Sequence, residues 1–191
     1  MESRQKNNSN YCFLFETTTV VPNSDIEILE ETKTEGGGRK VSFKSRLQES
    51  NVRNQNKRIY DDAVCESIVE QLGPKAKSRS LLCEIDHPMG SGADPAAMKR
   101  RAAIIEVKNC GAVIREIQFN NSEITGVLET LSSFRGPDLH KLITDDKVDI
   151  GWSLRALGGV TPLQDGTLKV NSPIRAITYD KYFVASCSDT C

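Results

Sequence analysis

The chain has 191 residues, with 25 Lys and Arg against 26 Asp and Glu, and a formal net charge of -1. That length suits one domain, and the near-neutral balance argues against a dedicated nucleic-acid binder, which would be basic. No apolar run approaches the roughly 20 residues of a membrane span, and the first residues lack the apolar core and small-residue cleavage site of a secretory signal. Neither nucleic acid nor membrane is therefore an expected partner, and a cytosolic setting is expected.

Residues 1–10 are polar and Asn-rich and are expected to be disordered. The stretch "YCFLFETTTVV" is rich in aromatic and β-branched residues and predicts a strand. After a turn at Pro22-Asn23-Ser24-Asp25, "IEILEETK" predicts a second strand. "TEGGGRK" then predicts a flexible hairpin loop; its glycines lack the lysine and following helix of a phosphate-binding loop. "KVSFKSRLQES" alternates Val41, Phe43, Ser45 and Leu47 and reads as a half-buried strand. Asp61 or Asp62 caps a helix carrying Ala63, Val64, Ile68 and Leu72, which Gly73-Pro74 is expected to stop.

"SLLCEIDHP" predicts the next strand, ended by Pro88, with a short turn over Ala97 to Arg101. "AAIIEVKNCGAVIREIQF" predicts a strand, a turn near Asn109 to Gly111 and a returning strand, and "EITGVLETLSS" another. "GPDLHKLITDD" predicts a second helix with Pro137 in its first turn. "KVDIGWSLRALGG" and "TLKVNSPIRAITYDKYFVAS" follow as strand-like runs. Many short strands and two clear helices predict an α+β, β-rich single domain over residues 11–188, with 189–191 as a tail.

The six cysteines include no Cys-x-x-Cys, and no histidine stands at zinc-finger spacing from a pair, so no metal and no cofactor is expected. Cys65, Cys83 and Cys110 sit in apolar settings and are expected in the core as reduced thiols. Cys187 and Cys191 lie near the C-terminus.

Ser153 in "GWSLRALGG" is either a turn residue or a nucleophile. A nucleophilic serine needs a base, usually histidine. The chain offers only His87, at a strand end before Pro88, and His140, inside the second helix. In a regular strand Glu84 and Asp86 face away from His87, which leaves Glu106, Asp149 and Asp180 as the candidate acids to orient its ring. The backbone from Arg155 through Gly159 offers N–H groups to an oxyanion, with Arg155 adding charge. No Gly-x-Ser-x-Gly elbow is present, because Arg155 holds the place of the second glycine; this disfavours an unrelated esterase. Residue chemistry alone leaves Ser153 undecided.

Three motifs resemble those of the prohead proteases of tailed bacteriophages of the T-even type. "NVRNQNKRIYD" (51–61) resembles that family's Asn-x-Asn-x-Arg-aliphatic-Tyr segment through Asn54, Asn56, Arg58, Ile59 and Tyr60. "LLCEIDHP" (81–88) resembles Gly-Glu-aliphatic-Asp/Asn-His-Pro, and "IGWSLRALGG" (150–159) resembles Gly-Val-Ser-Ser-Arg-Gly-Leu-Gly. Order and separation agree, and the likeness runs from about residue 41 to about residue 186.

The resemblance implies a serine endopeptidase with a herpesvirus-protease (assemblin)-like antiparallel barrel flanked by helices. It implies Ser153 as nucleophile and His87 as base. Asp180 falls on the family's acid and is the expected orienting group, with Arg155 and Ala156 expected at the oxyanion. It implies phage scaffold and capsid proteins as substrates, cut after Glu in aliphatic-x-Glu sites inside the assembling prohead in the host cytoplasm, and self-processing. Leu14-Phe15-Glu16 and Ile28-Leu29-Glu30 fit such sites. Self-association is left open, and an inactive core protein with the same fold is the alternative.

Cys83, Trp152, Ala156 and Ala185 depart from the family pattern, and residues 1–40 lie outside it. Trp152 is expected to face away from Ser153 and to pack.

Overall fold

The computed structural model describes residues 12–16, 20–86 and 95–182. In chain order its strands are β1 (Cys12–Phe15), β2 (Val20–Val21), β3 (Glu27–Lys33), β4 (Arg39–Glu49), β5 (Arg58–Ile59), β6 (Leu82–Glu84), β7 (Cys110–Asn120), β8 (Glu123–Thr130), β9 (Ile150–Pro162) and β10 (Leu168–Tyr182). Its helices are α1 (Asp62–Lys77), α2 (Pro95–Ala103) and α3 (Gly136–Thr144).

The strands form two sheets. One runs β1-β9-β10-β5, with β2 also on β9; the other runs β3-β4-β8-β7-β6. The expected β-rich single domain with flanking helices is present. The closed antiparallel barrel is not: the described strands form two five-stranded sheets. One isolated bridge, Ile85 to Lys181, joins the end of β6 to β10 of the other sheet.

The apolar alternation of β4 explains the packing. Val41, Phe43, Ser45 and Leu47 are buried while their neighbours Ser42, Lys44 and Arg46 are partly exposed. Phe43 stacks on Trp152 of β9, with ring centroids 6.2 Å apart, and Trp152 Nε1 donates to Ser45 Oγ at 2.9 Å. Tyr179 of β10 likewise donates to Gln48 Oε1 at 2.9 Å. The sheets thus meet through large side chains whose polar tips are satisfied.

Asp61 caps α1 by accepting from Val64 N at 3.0 Å. Val64, Cys65, Ile68, Leu72 and Ala76 form its buried stripe. The helix does not stop at Gly73-Pro74 but continues to Lys77. Pro74 removes one backbone donor, yet Ala76 remains on the buried stripe, and Ser78 N and Ser80 N close the last turn on Pro74 O and Lys75 O.

A third helix, α2, stands where a short turn was expected. The strand expected around residues 102–108 is replaced by an irregular segment ending in a 3-10 turn at Val107–Asn109. Its backbone serves side chains, not a ladder: Ala102 O and Ile104 O accept from Arg155, and Glu106 N donates to Glu84.

Candidate functional site

Ser153 lies on β9 directly across from Asp180 on β10. Opposed residues share a face, as do residues two apart on one strand, so Ser153, Arg155 and Asp180 project to the same side. Trp152 and Leu154 take the other side and pack in the core, as expected for Trp152. Ser153 is fully buried. Along β9, β1 pairs with Arg155 to Gly158 and β2 with Ile150 and Gly151, so Ser153 falls between these two edge partners.

Arg155 is the hub beside it. Its guanidinium is buried and uses all five N–H donors. Nε and Nη2 hold Asp180 at 2.8 and 2.7 Å, Nη2 also reaches Glu84 Oε2 at 2.9 Å, and Nη1 donates to Ile104 O at 2.9 Å and Ala102 O at 3.3 Å. Glu84 in turn accepts from Arg101 Nη2 at 3.0 Å and Nη1 at 3.3 Å, and from Glu106 N. Two arginines thus meet two buried carboxylates, Asp180 and Glu84, and the cluster ties β9, β10, β6 and the segment after α2 together. Asp180 also accepts from Glu84 N at 3.3 Å.

Arg155 and Ala156 sit in the stretch of β9 that is paired on both flanks, by β1 and by β10, so the ladders take up its backbone groups. No turn follows at Gly158 and Gly159; β9 runs on to Pro162.

β6 leads toward His87, which lies outside the described residues. The approach is well defined: Asp86 N donates to Lys181 O at 2.8 Å, and Asp86 has φ 67, a left-handed conformation uncommon for a non-glycine residue. That conformation breaks the strand alternation immediately before His87; Glu84 is buried and Asp86 exposed.

The other candidate residues are placed elsewhere. His140 is buried in α3, with Nε2 3.1 Å from Glu31 Oε1. Asp149 accepts from Asn23 N at 2.9 Å, and Glu106, at the start of the 3-10 turn, accepts from the Asn109 side-chain Nδ2 at 3.0 Å. Cys65, Cys83 and Cys110 are free and buried, as expected. Burial pushes the thiols of Cys65 and Cys110 up to about 12 and that of Cys83 well above its ordinary value, so all three remain protonated. Among the described residues no group of three His, Cys, Asp or Glu is arranged to hold a metal, and no helix is long and apolar enough to cross a membrane.

Lys181 is a buried titratable group that the sequence did not single out. It pairs across the strands with Trp152, so it sits on the face opposite Ser153. Burial brings its pKa down to about 7, with Arg135 adding to the effect and Asp86 opposing it.

A second polar cluster gathers the 51–61 motif. Asn54, Asn56, Arg58 and Tyr60 all donate to the carboxylate of Glu16, which is fully buried at the end of β1. Tyr60 OH lies 2.6 Å and Arg58 Nη1 2.8 Å from Oε1, and Asn56 Nδ2 lies 3.3 Å from Oε2. Burial, followed by the charge of Glu16, holds the Tyr60 phenol well above its ordinary pKa, so it remains a donor.

No known protein family matches the chain, and no curated protein matches it in sequence. Among solved structures it is similar to the bacteriophage T4 capsid assembly protease, gp21, with a TM-score of 0.69 at 20% identity over 90% of this chain and 97% of that one. At that identity the likeness is one of fold, and the chain has the fold of that capsid assembly protease.

Proposed function

We propose that this chain is a serine endopeptidase that cleaves capsid and scaffold proteins, and itself, inside the assembling prohead of a tailed phage. One observation supports this above the others. Arg155 binds the strand carrying Ser153 to the strand leading to His87, in a fold like that of a capsid assembly protease. Two of the three motifs that resemble prohead proteases, 81–88 and 150–159, are thus tied to each other through Arg155 and Glu84.

In the mechanism, His87 takes the Ser153 proton as Oγ attacks a peptide carbonyl, forming the O–C bond of a tetrahedral intermediate. The intermediate collapses with loss of the amine, which takes its proton from His87. Water then attacks the acyl-enzyme, giving up a proton to His87, and Ser153 leaves with that proton. Arg155 and Asp180 act as positioning residues in this scheme. Their mutual pairing keeps Ser153 in register and anchors Glu84, three residues before His87.

Labelling by a serine-reactive phosphonate tests the assignment. Wild type should be labelled at Ser153, and His87→Ala should lose the label. Co-expression with the scaffold protein of the same phage, read by intact mass, should show cleavage by wild type and none by Ser153→Ala. Identical masses and N-termini in both would overturn the proteolytic reading.

The complete burial of Ser153 favours a second reading, an inactive core protein that binds scaffold without cutting it. Phosphonate labelling of Ser153 would remove that reading.

A further inference from the structure

The N-terminal strand has the properties of a bound peptide. β1 is an edge strand laid antiparallel on β9, with Leu14 across from Ala156 and Phe15 across from Arg155. Glu16 N donates to Leu154 O at 3.0 Å, so Glu16 stands across from the immediate neighbour of Ser153. Its carbonyl is thereby at the Ser153 end of the pairing. Extended peptides commonly bind proteins by adding an edge strand in this way, with alternate side chains entering pockets.

Leu14 of β1 and Glu16 just after it, two apart on one face, are both fully buried, while Cys12 on that face is exposed. Leu14 enters the core, and Gly158 makes room for it: a Cβ at Gly158 would lie 3.1 Å from Leu14 Cδ1. Glu16 enters the pocket of Asn54, Asn56, Arg58 and Tyr60.

That pocket is built independently of β1. Asn54 N and Asn54 Oδ1 bind Arg58 O and Arg58 N, both at 2.9 Å, which closes the turn. β5 then pairs with β10, and Asn51 N holds Tyr60 O at 2.7 Å. Four donors on one prebuilt loop are more than stability requires, since a buried ion pair contributes little compared with apolar packing of the same volume. They are what recognition of a desolvated carboxylate requires.

We infer that Asn54, Asn56, Arg58 and Tyr60 form the specificity pocket for a glutamate side chain of the substrate peptide, and that residues 12–16 occupy the substrate cleft in cis as a tethered, substrate-like strand. The inference rests on the proteolytic reading of Ser153 for its functional meaning. Substrate enters when this strand gives up the edge of β9. Leu14 marks the subsite for an aliphatic side chain two positions before the glutamate.

The test uses the full chain and a labelled peptide of the sequence CFLFETTT, beside its Glu→Gln analogue. Binding is followed by fluorescence polarisation on Ser153→Ala and on Ser153→Ala/Glu16→Gln. Loss of the Glu16 charge should tighten peptide binding about tenfold, and the Glu peptide should bind about tenfold better than the Gln peptide, the scale of one charge-assisted hydrogen bond. Adding Arg58→Met should remove that discrimination; Tyr60→Phe, which conserves the ring, should weaken it if Arg58→Met fails to fold. Equal binding of the two peptides to the Glu16→Gln protein would overturn the pocket. Cleavage is then measured with Ser153 intact. Glu-selective binding without cleavage would uphold the pocket and sink the protease, whereas cleavage without Glu preference would uphold the protease and sink the pocket.

Discussion

Arg155 and Asp180 form a side-on, two-bond ion pair across adjacent strands, with Nε 2.8 Å from Oδ2 and Nη2 2.7 Å from Oδ1, and both side chains are fully buried. The planar guanidinium matches the carboxylate in a way that a lysine ammonium does not. Its remaining donors reach Glu84 and two carbonyls, so a single side chain spans four segments.

Replacing Arg155 by Ala should therefore take the guanidinium partner from buried Asp180, while Glu84 loses one donor and keeps Arg101 and Glu106 N. The expected loss is about 3–5 kcal/mol, the scale seen when one partner of a buried pair is removed. Urea unfolding followed by the fluorescence of Trp152, the one tryptophan of the chain, measures it. Turnover should fall more than peptide binding, and Arg155→Lys should recover only part of either. An unchanged unfolding midpoint would remove Arg155 from its role as clamp.

Lys181 should make stability depend on alkaline pH. Its folded pKa, near 7, lies below the unfolded value of about 10.4. Between these values the unfolded chain binds more protons, so this group's contribution to stability rises with pH across the window. Below about pH 7 the buried charge weighs fully against folding. Unfolding curves of wild type and Lys181→Met at several pH values from 7 to 10 should show wild type gaining on the variant; parallel curves would contradict the buried setting.

On the acid side, Asp61 and Glu129 also lie below their ordinary pKa values, so their contribution to stability rises with pH in the same sense, within a lower window. The hydrogen bond from Val64 N is the main cause holding Asp61 below its ordinary pKa. For Glu129, burial alone would raise the value, but donors from Lys40, Arg79 and Arg115 outweigh it and the pKa is lowered. Depressed carboxylates stabilise the fold above their unfolded pKa of about 4 and lose that contribution as pH falls through the folded value. Asp61→Ala should cost about 1 kcal/mol at pH 7 through loss of the α1 cap, and less in strong acid. Denaturation at pH 7 and pH 3 measures the difference.

Gly136 opens α3 in a space that admits no side chain. A Cβ there would fall 1.9 Å from Leu131 O, a backbone atom that cannot move aside cheaply. Gly136→Ala should destabilise by about 1–3 kcal/mol or more, as overpacking does, lowering the thermal midpoint. Gly73→Ala, with nothing within 4 Å of the added carbon, is the control and should be neutral or stabilising.

Strand alternation made much of the fold legible. The period-two pattern of Val41, Phe43, Ser45 and Leu47, the helical spacing of Val64, Ile68 and Leu72, and Pro137 at the start of α3 all correspond to observed elements. The apolar run around Ile104 and Val107 misled, because both side chains remain exposed while the backbone there serves Arg155 and Glu84. The continuation of α1 through Pro74 was equally hidden, since only the packed stripe shows that Ala76 belongs to the helix.

The candidate site divides along the same line. By itself the sequence determined which residues are available for chemistry: Ser153 in its glycine-bearing strand, two histidines, and a motif of alternating Asn, Asn, Arg and Tyr. Local periodicity also settled that Trp152 and Ser153 face opposite sides. Only the tertiary structure decided who meets whom. Glu84 and Arg155 are 71 positions apart, and Asn54 and Glu16 are 38 apart, so no local pattern encodes either contact. The pairing of β9 with β10 sets Asp180 across from Ser153, and β1 lying on the edge of β9 buries Glu16. Desolvation does the rest: a carboxylate taken out of water must find donors, and the fold places them around it.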